Sequence, residues 1–281
     1  FKAAAVCVTT LLLGLFVAVP IWAILREGLI LPDGSWGLGN FVDYFRDPRF
    51  VTITSRSLLL AFSATVITIV LAFGYAYALV RTLIPLKSLW RFCALLPIFA
   101  PSLVQALGIQ FLLGRNGLIS NLLGIRIDIY GFWGILLSDM LYAFPHAVLI
   151  IITALSVADG RLYEAGRMLG ASEFRLFWTV TLPASRYGIM SAAFVVFTIV
   201  ITDFGNAMVI GGDYSVLATE IYNQVSGQAS FRLGAVIGIV LLVPAGLAML
   251  VERQVARRNT AILSERSSPL TLRKHPLRDA Y

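Results

Sequence analysis

Residues 58–80 read LLLAFSATVITIVLAFGYAYALV, with Arg56 just ahead of the run and Arg81 directly after it. Twenty-three residues pass without a charge, and a helix needs roughly 20 apolar residues to cross the hydrocarbon core of a bilayer. The run is continuously apolar and does not alternate, as the strand of a membrane barrel would. A helix satisfies its own backbone hydrogen bonds in lipid, so a spanning helix is the only economical reading.

The same criterion finds five more runs, at 3–25, 92–113, 130–155, 188–210 and 233–251. Composition agrees: of 281 residues, 58% are hydrophobic and 13% charged, against about 25% charged in soluble domains. The fold class expected is therefore all-α, a polytopic transmembrane bundle of about six spans over residues 1–251. Residues 252–281 follow as a basic tail or linker. The first run is too long for the apolar region of a signal peptide and lacks a small-residue cleavage site, so it is expected as a retained helix.

Orientation follows from the basic residues. With the N-terminus inside, Lys2, the 81–91 turn, the 156–187 loop and the tail hold 15 of the 22 Lys and Arg residues. An even number of spans then places both termini in the cytoplasm. Residues 26–57 become an external loop with short interfacial structure, and 114–128 a turn-rich external loop.

Other chemistries lack their residues. Cys7 and Cys93 lie in apolar runs, His146 and His275 are far apart, and no metal-ligand spacing occurs. A phosphate-binding loop needs a Gly-rich turn ending in Lys and then Ser or Thr. The lysines, Lys2, Lys87 and Lys274, are not so placed. Any ATP and Mg chemistry belongs to a partner. No basic run interleaved with aromatics suggests nucleic acid, and the net charge of +7 suits loops at a membrane face.

The 156–187 loop is long, mixed in charge and helical in pattern, and loops of that length are usually functional. Residues 160–169 can form a short amphipathic helix that Gly170 ends in the left-handed conformation. Ser172 can cap a second helix through Glu173, Phe174, Leu176, Phe177 and Trp178, and Pro183 is expected to break it before the chain re-enters the membrane. A helix–Gly–helix elbow of this kind suits the docking of a soluble partner.

This loop resembles the EAA loop of permease subunits in bacterial binding-protein-dependent ABC importers. That pattern is Glu-Ala-Ala, three residues, Gly, nine residues, Ile, one residue, Leu-Pro. Glu164, Ala165, Gly170, Leu182 and Pro183 match it, while Gly166 replaces the second Ala and Val180 replaces Ile. The resemblance implies a type I importer permease, with the loop as a coupling helix seated on a separate ATP-binding cassette subunit. Glu164 would be its polar anchor, and Gly166 and Gly170 would give close approach and the turn. It also implies a second permease unit, fused or separate, and a periplasmic solute-binding protein. The tail would suit the junction to that second unit.

Four polar residues within spans are candidates for the translocation route. Asp139 lies about 15 Å into the fourth run by helical rise. Carboxylates at such depth commonly face a pathway or a partner, and an interhelical structural bond is the alternative. Asp203 and Asn206, beside Gly205, suggest a break in the fifth helix. His146 follows Pro145 and suits either an interior bond or the route. Residues 202–235 resemble the corresponding stretch in 2-aminoethylphosphonate permeases and, more distantly, ferric-iron and polyamine or thiamine permeases. The function implied is import of a phosphonate such as 2-aminoethylphosphonate, with ferric iron as the alternative. An ion-coupled secondary transporter using Asp139 and Asp203 is a rival that leaves the elbow unexplained, and a non-transporting membrane scaffold is a second that needs no polar residues in its spans.

Overall fold

The computed structural model describes residues 2–124, 128–156 and 160–262. Helices account for nearly all of them: α1 (Lys2–Leu29), α2 (Gly39–Arg46), α3 (Pro48–Arg81), α4 (Lys87–Leu95), α5 (Ser102–Leu113), α6 (Leu118–Leu123), α7 (Phe132–Ser156), α8 (Gly160–Met168), α9 (Glu173–Leu176), α10 (Leu182–Ile201), α11 (Gly205–Ile210), α12 (Leu217–Tyr222) and α13 (Phe231–Ile262). Among the described residues, the only β pairing is an isolated bridge between Ile30 and Trp36. Five helices are long and apolar enough to span a membrane, and a bent pair brings the number to as many as six.

The third run is not one helix. α4 continues as a 3-10 turn, Leu96–Phe99, and the following α5–α6 segment leaves at 105°. Pro97 and Pro101 are the cause. Proline has no N–H to give the helical ladder, and it pushes the residue before it out of the α region; Ala100 is extended, with φ −104° and ψ 127°. The Gln105 amide nitrogen donates to Pro97 O at 2.5 Å and to Ala100 O at 3.2 Å, and Pro97 O also accepts from Ala100 N–H at 3.2 Å.

Pro183 does the opposite of what its sequence suggests. Helix continues unbroken from Glu173 to Ile201, because residues Phe177–Thr181 form a π turn in which Leu182 N–H bonds Phe177 O. The wider turn accommodates the proline ring within the first turn of α10. The fifth span thus begins well before Gly188 and ends at Ile201, short of Ile210. α3 likewise begins at Pro48, inside the segment expected to be an external loop, and α13 runs past Val251 to Ile262. The rest of the basic tail lies outside the described residues.

The chain divides into two compact units, Phe1–Ser57 with Ser215–Pro244, and Leu58–Tyr214 with Ala245–Tyr281. In the first, Tyr44 of α2 is buried and stacks on Phe50 at 5.0 Å. Its hydroxyl pairs with Thr54 Oγ1 at 2.7 Å. Glu220 of α12, fully buried, accepts from Arg49 at 3.0 Å and from Gln224 at 2.7 Å.

In the second unit α7 is central, with α10 along one side and α5 and α11 at one end. Ala106, Ile109, Ile129 and Ile210 form a buried apolar cluster there. Gly134 is required at this point, since a Cβ would lie 2.5 Å from Ile210 Cγ2.

Candidate functional site

The elbow is built on a buried scaffold. α8 ends in a Schellman motif: Ala171 N–H bonds Gly166 O at 2.9 Å, Gly170 N–H bonds Arg167 O at 3.0 Å, and Gly170 has φ +77°. Ser172 caps α9, its hydroxyl accepting from Arg175 N–H at 3.3 Å. Arg167 Nε bonds Glu173 Oε1 at 3.0 Å across the turn. Gly166 lets the two arms close, because a Cβ there would come 2.5 Å from Cδ2 of Leu176, itself buried.

What the scaffold presents is apolar. Met168 is 90% exposed and Leu169 87%, beside Phe174 at 75% and Trp178 at 53%. Glu164 and Ala165 are exposed on α8, and among the described residues the Glu164 carboxylate has no hydrogen bond or ion pair. Leu182 and Pro183 stand apart from this knob, in the first turn of α10. The exposed tip is formed by the end of α8, the residue after it, α9 and the start of the π turn.

A second polar group lies inside the same unit. The helix break expected after Thr202 is present between Ile201 and Gly205. Asp203 Oδ2 accepts from Asn206 N–H at 2.8 Å. The Asn206 amide nitrogen donates to Asp139 Oδ1 at 2.7 Å, and its carbonyl oxygen accepts from Ser138 Oγ at 2.6 Å. Ser138, Asp139 and Asn206 are all buried. Ser102, at the start of α5, hydrogen-bonds the Asp203 carboxylate. Gly205 permits this approach, since a Cβ would lie 2.6 Å from Leu103 N. The break before α5 and the break after α10 therefore meet at one place.

Asp139, Asp203 and Asn206 come together as a network, and Asp139 sits nearer its helix start than the sequence indicates, seven residues from Phe132, about 10 Å. His146 does not join them. Its ring lies 6.1 Å from that of Tyr142, and among the described residues no hydrogen bond links it to Asp139, Asp203 or Asn206. Ser102 and Ser138 are members that the sequence does not mark, since a lone serine in an apolar run gives no signal. The Pro101–Ser102 pair, a helix start after a break, is the one clue. Among the described residues neither aspartate has a salt-bridge partner. The network ties the break after α10 to α7 through buried side chains.

Comparison with known proteins follows the same outline. The chain is 29% identical over 202 residues to a protein of Haemophilus influenzae described as a putative ferric transport system permease, covering 69% of this chain and 32% of that one. The chain thus spans about a third of the length of that relative. It is 24% identical over 262 residues to a sulfate transport system permease of Synechococcus elongatus, covering 90% of each. A chain of the crystal structure of a bacterial alginate ABC transporter, in complex with its pentasaccharide-bound periplasmic protein, superposes with a TM-score of 0.72 at 19% identity over 92% of this chain. That likeness establishes the fold. Residues 71–259, which hold the elbow, both breaks and the buried network, match the family described as the binding-protein-dependent transport system inner membrane component, and the chain belongs to that family.

Proposed function

We propose that this chain is one membrane subunit of an ATP-driven importer, and that the α8–α9 elbow is its contact with a separate ATP-hydrolysing subunit. The observation that carries the reading is the knob of Met168, Leu169, Phe174 and Trp178, apolar and exposed on an otherwise well-tied scaffold. Exposed apolar groups clustered at one place mark sites of protein interaction. Glu164 supplies a charge beside them. Both termini and the elbow lie on the cytoplasmic side, where ATP is, in keeping with the basic residues of these segments. A second membrane unit completes the pathway, and α1, whose apolar window has no buried residue, offers a face for it or for lipid. A binding protein delivers the solute from outside.

The cargo is a phosphonate such as 2-aminoethylphosphonate, on the resemblance carried by residues 202–235. Ferric iron is the second reading, favoured by the Haemophilus relative.

Proteoliposomes holding the whole transporter test both. ATP-dependent uptake of each solute is compared for the native chain, Glu164→Ala and Gly170→Pro. Loss of uptake in the variants, with the membrane subunits still inserted, supports the elbow contact. Full uptake in both, or uptake that ignores ATP and follows an ion gradient, sinks it in favour of a secondary transporter.

A further inference from the structure

Behind the exposed knob lies a junction that no sequence motif marks. Arg81, the last residue of α3, is only 4% exposed. Its guanidinium carbon sits 4.6 Å from the centroid of the Tyr163 ring. Its Nη2 donates to Leu155 O, in the last turn of α7, at 2.9 Å. Tyr163 is the large buried side chain of α8, and its hydroxyl pairs with Thr181 Oγ1 at 2.9 Å. Thr181 closes the π turn that leads into α10. Phe177, in the same turn, meets Tyr77 of α3 edge-on at 5.6 Å and Phe73 at 6.0 Å.

One side chain of the elbow helix thus touches the end of α3 and the turn into α10 directly, and reaches the end of α7 through Arg81. The arrangement is selective about chemistry. A long cationic side chain at a helix end ordinarily extends to water, and drawing it inward has a desolvation cost. Here the flat guanidinium lies on an aromatic face and bonds a helix C-terminal carbonyl, where partial negative charge collects. Lysine, a point charge without a plane, loses the stacked, pre-organised geometry and is not a conservative replacement here. On the other face of α8, Glu164, Ala165 and Met168 are exposed. Tyr163 is the buried side chain opposite that face.

We propose that Tyr163, clamped between Arg81 and Thr181, is the joint that converts displacement of the elbow helix into movement of α3, α7 and α10, with Arg81 as its positioning residue. The proposal rests on the reading of the elbow as the ATPase contact.

The test uses the complete transporter in proteoliposomes and records uptake and ATP hydrolysis together, with 2-aminoethylphosphonate and ferric ion as cargo probes. Spin labels at Leu162 and Thr202 report ATP-driven distance change independently of cargo. Arg81→Gln is expected to keep the ATPase subunits attached and hydrolysing, while solute imported per ATP falls about three- to tenfold and the distance change shrinks. Arg81→Lys should resemble it, and Tyr163→Phe, which keeps the ring and loses the Thr181 bond, should show a smaller deficit of the same kind. If Arg81→Gln does not fold, the latter two decide. Uptake and hydrolysis falling in proportion to surviving complex would reduce the junction to structural support and overturn the proposal, as would an unchanged ratio with an unchanged distance response. Glu164→Ala and Met168→Asp identify failure at the earlier step. If neither alters ATPase attachment or uptake, the contact reading falls and the joint falls with it.

Discussion

At the scale of single residues, Gly166 is the sharpest case. The EAA pattern has alanine there, yet in this chain a Cβ would press on buried Leu176. Gly166→Ala is expected to destabilise by about 1–3 kcal/mol, the usual range for overpacking. Leu176→Val should recover part of that loss in the double variant, and thermal unfolding in detergent measures both. Asn206 is the second case, because its amide serves Asp139 and Ser138 together. Asn206→Leu leaves both buried without their partner and should cost about 1–3 kcal/mol. Ser138→Ala removes one bond of a kind worth about 0.6 kcal/mol between membrane helices. If the two substitutions cost the same, the amide is not the hub. Neither Ser138 nor Ser102 is legible in the sequence, because their partners come from distant helices. Asp139, Asp203 and Asn206 are legible because charge and amide are rare in apolar runs, and rarity there implies a specific partner.

At the scale of elements, the apolar runs located the spans because length and absence of charge are properties of the run itself. The same criterion is blind to what lies within a run. Pro97 and Pro101 stand in plain view in the third one, yet a charge-free window does not weigh them. Pro183 misleads in the other direction, since its effect depends on a π turn formed by the residues before it. Gly170 was legible because a left-handed residue after an amphipathic stretch is a local requirement, whereas the Arg81–Tyr163 contact joins two distant parts of the chain. The elbow makes its own prediction. Met168 and Leu169 are almost fully exposed, so replacing both by Ala should leave the melting temperature of the isolated chain unchanged. Retention of the ATPase subunit should weaken by about tenfold or more, as for truncation of an apolar anchor. Pull-down across a dilution series checks it, and an unaltered affinity would place the contact elsewhere.

For the whole molecule, topology is the first quantity to measure. With Cys7 and Cys93, the free cysteines, replaced by serine, a single cysteine at Asp33 should react with a membrane-impermeant maleimide added to intact cells. One at Leu169 should react only after the membrane is opened. The reverse pattern would invert the orientation and detach the elbow from cytoplasmic ATP. The bend between α4 and α5 bears on something else, the making of the protein. Backbone carbonyls at a bend cannot rest unpaired against lipid, and Gln105 serves two of them. α7, which packs against the bend, and the Gly205 break, which packs against the start of α5, are both encoded later in the chain. At ordinary translation speeds Ser102 leaves the ribosome about 5–20 s before Gly205. For that interval the bend lacks the break that later packs beside it. Its window of vulnerability is set by the sequence distance between the two breaks.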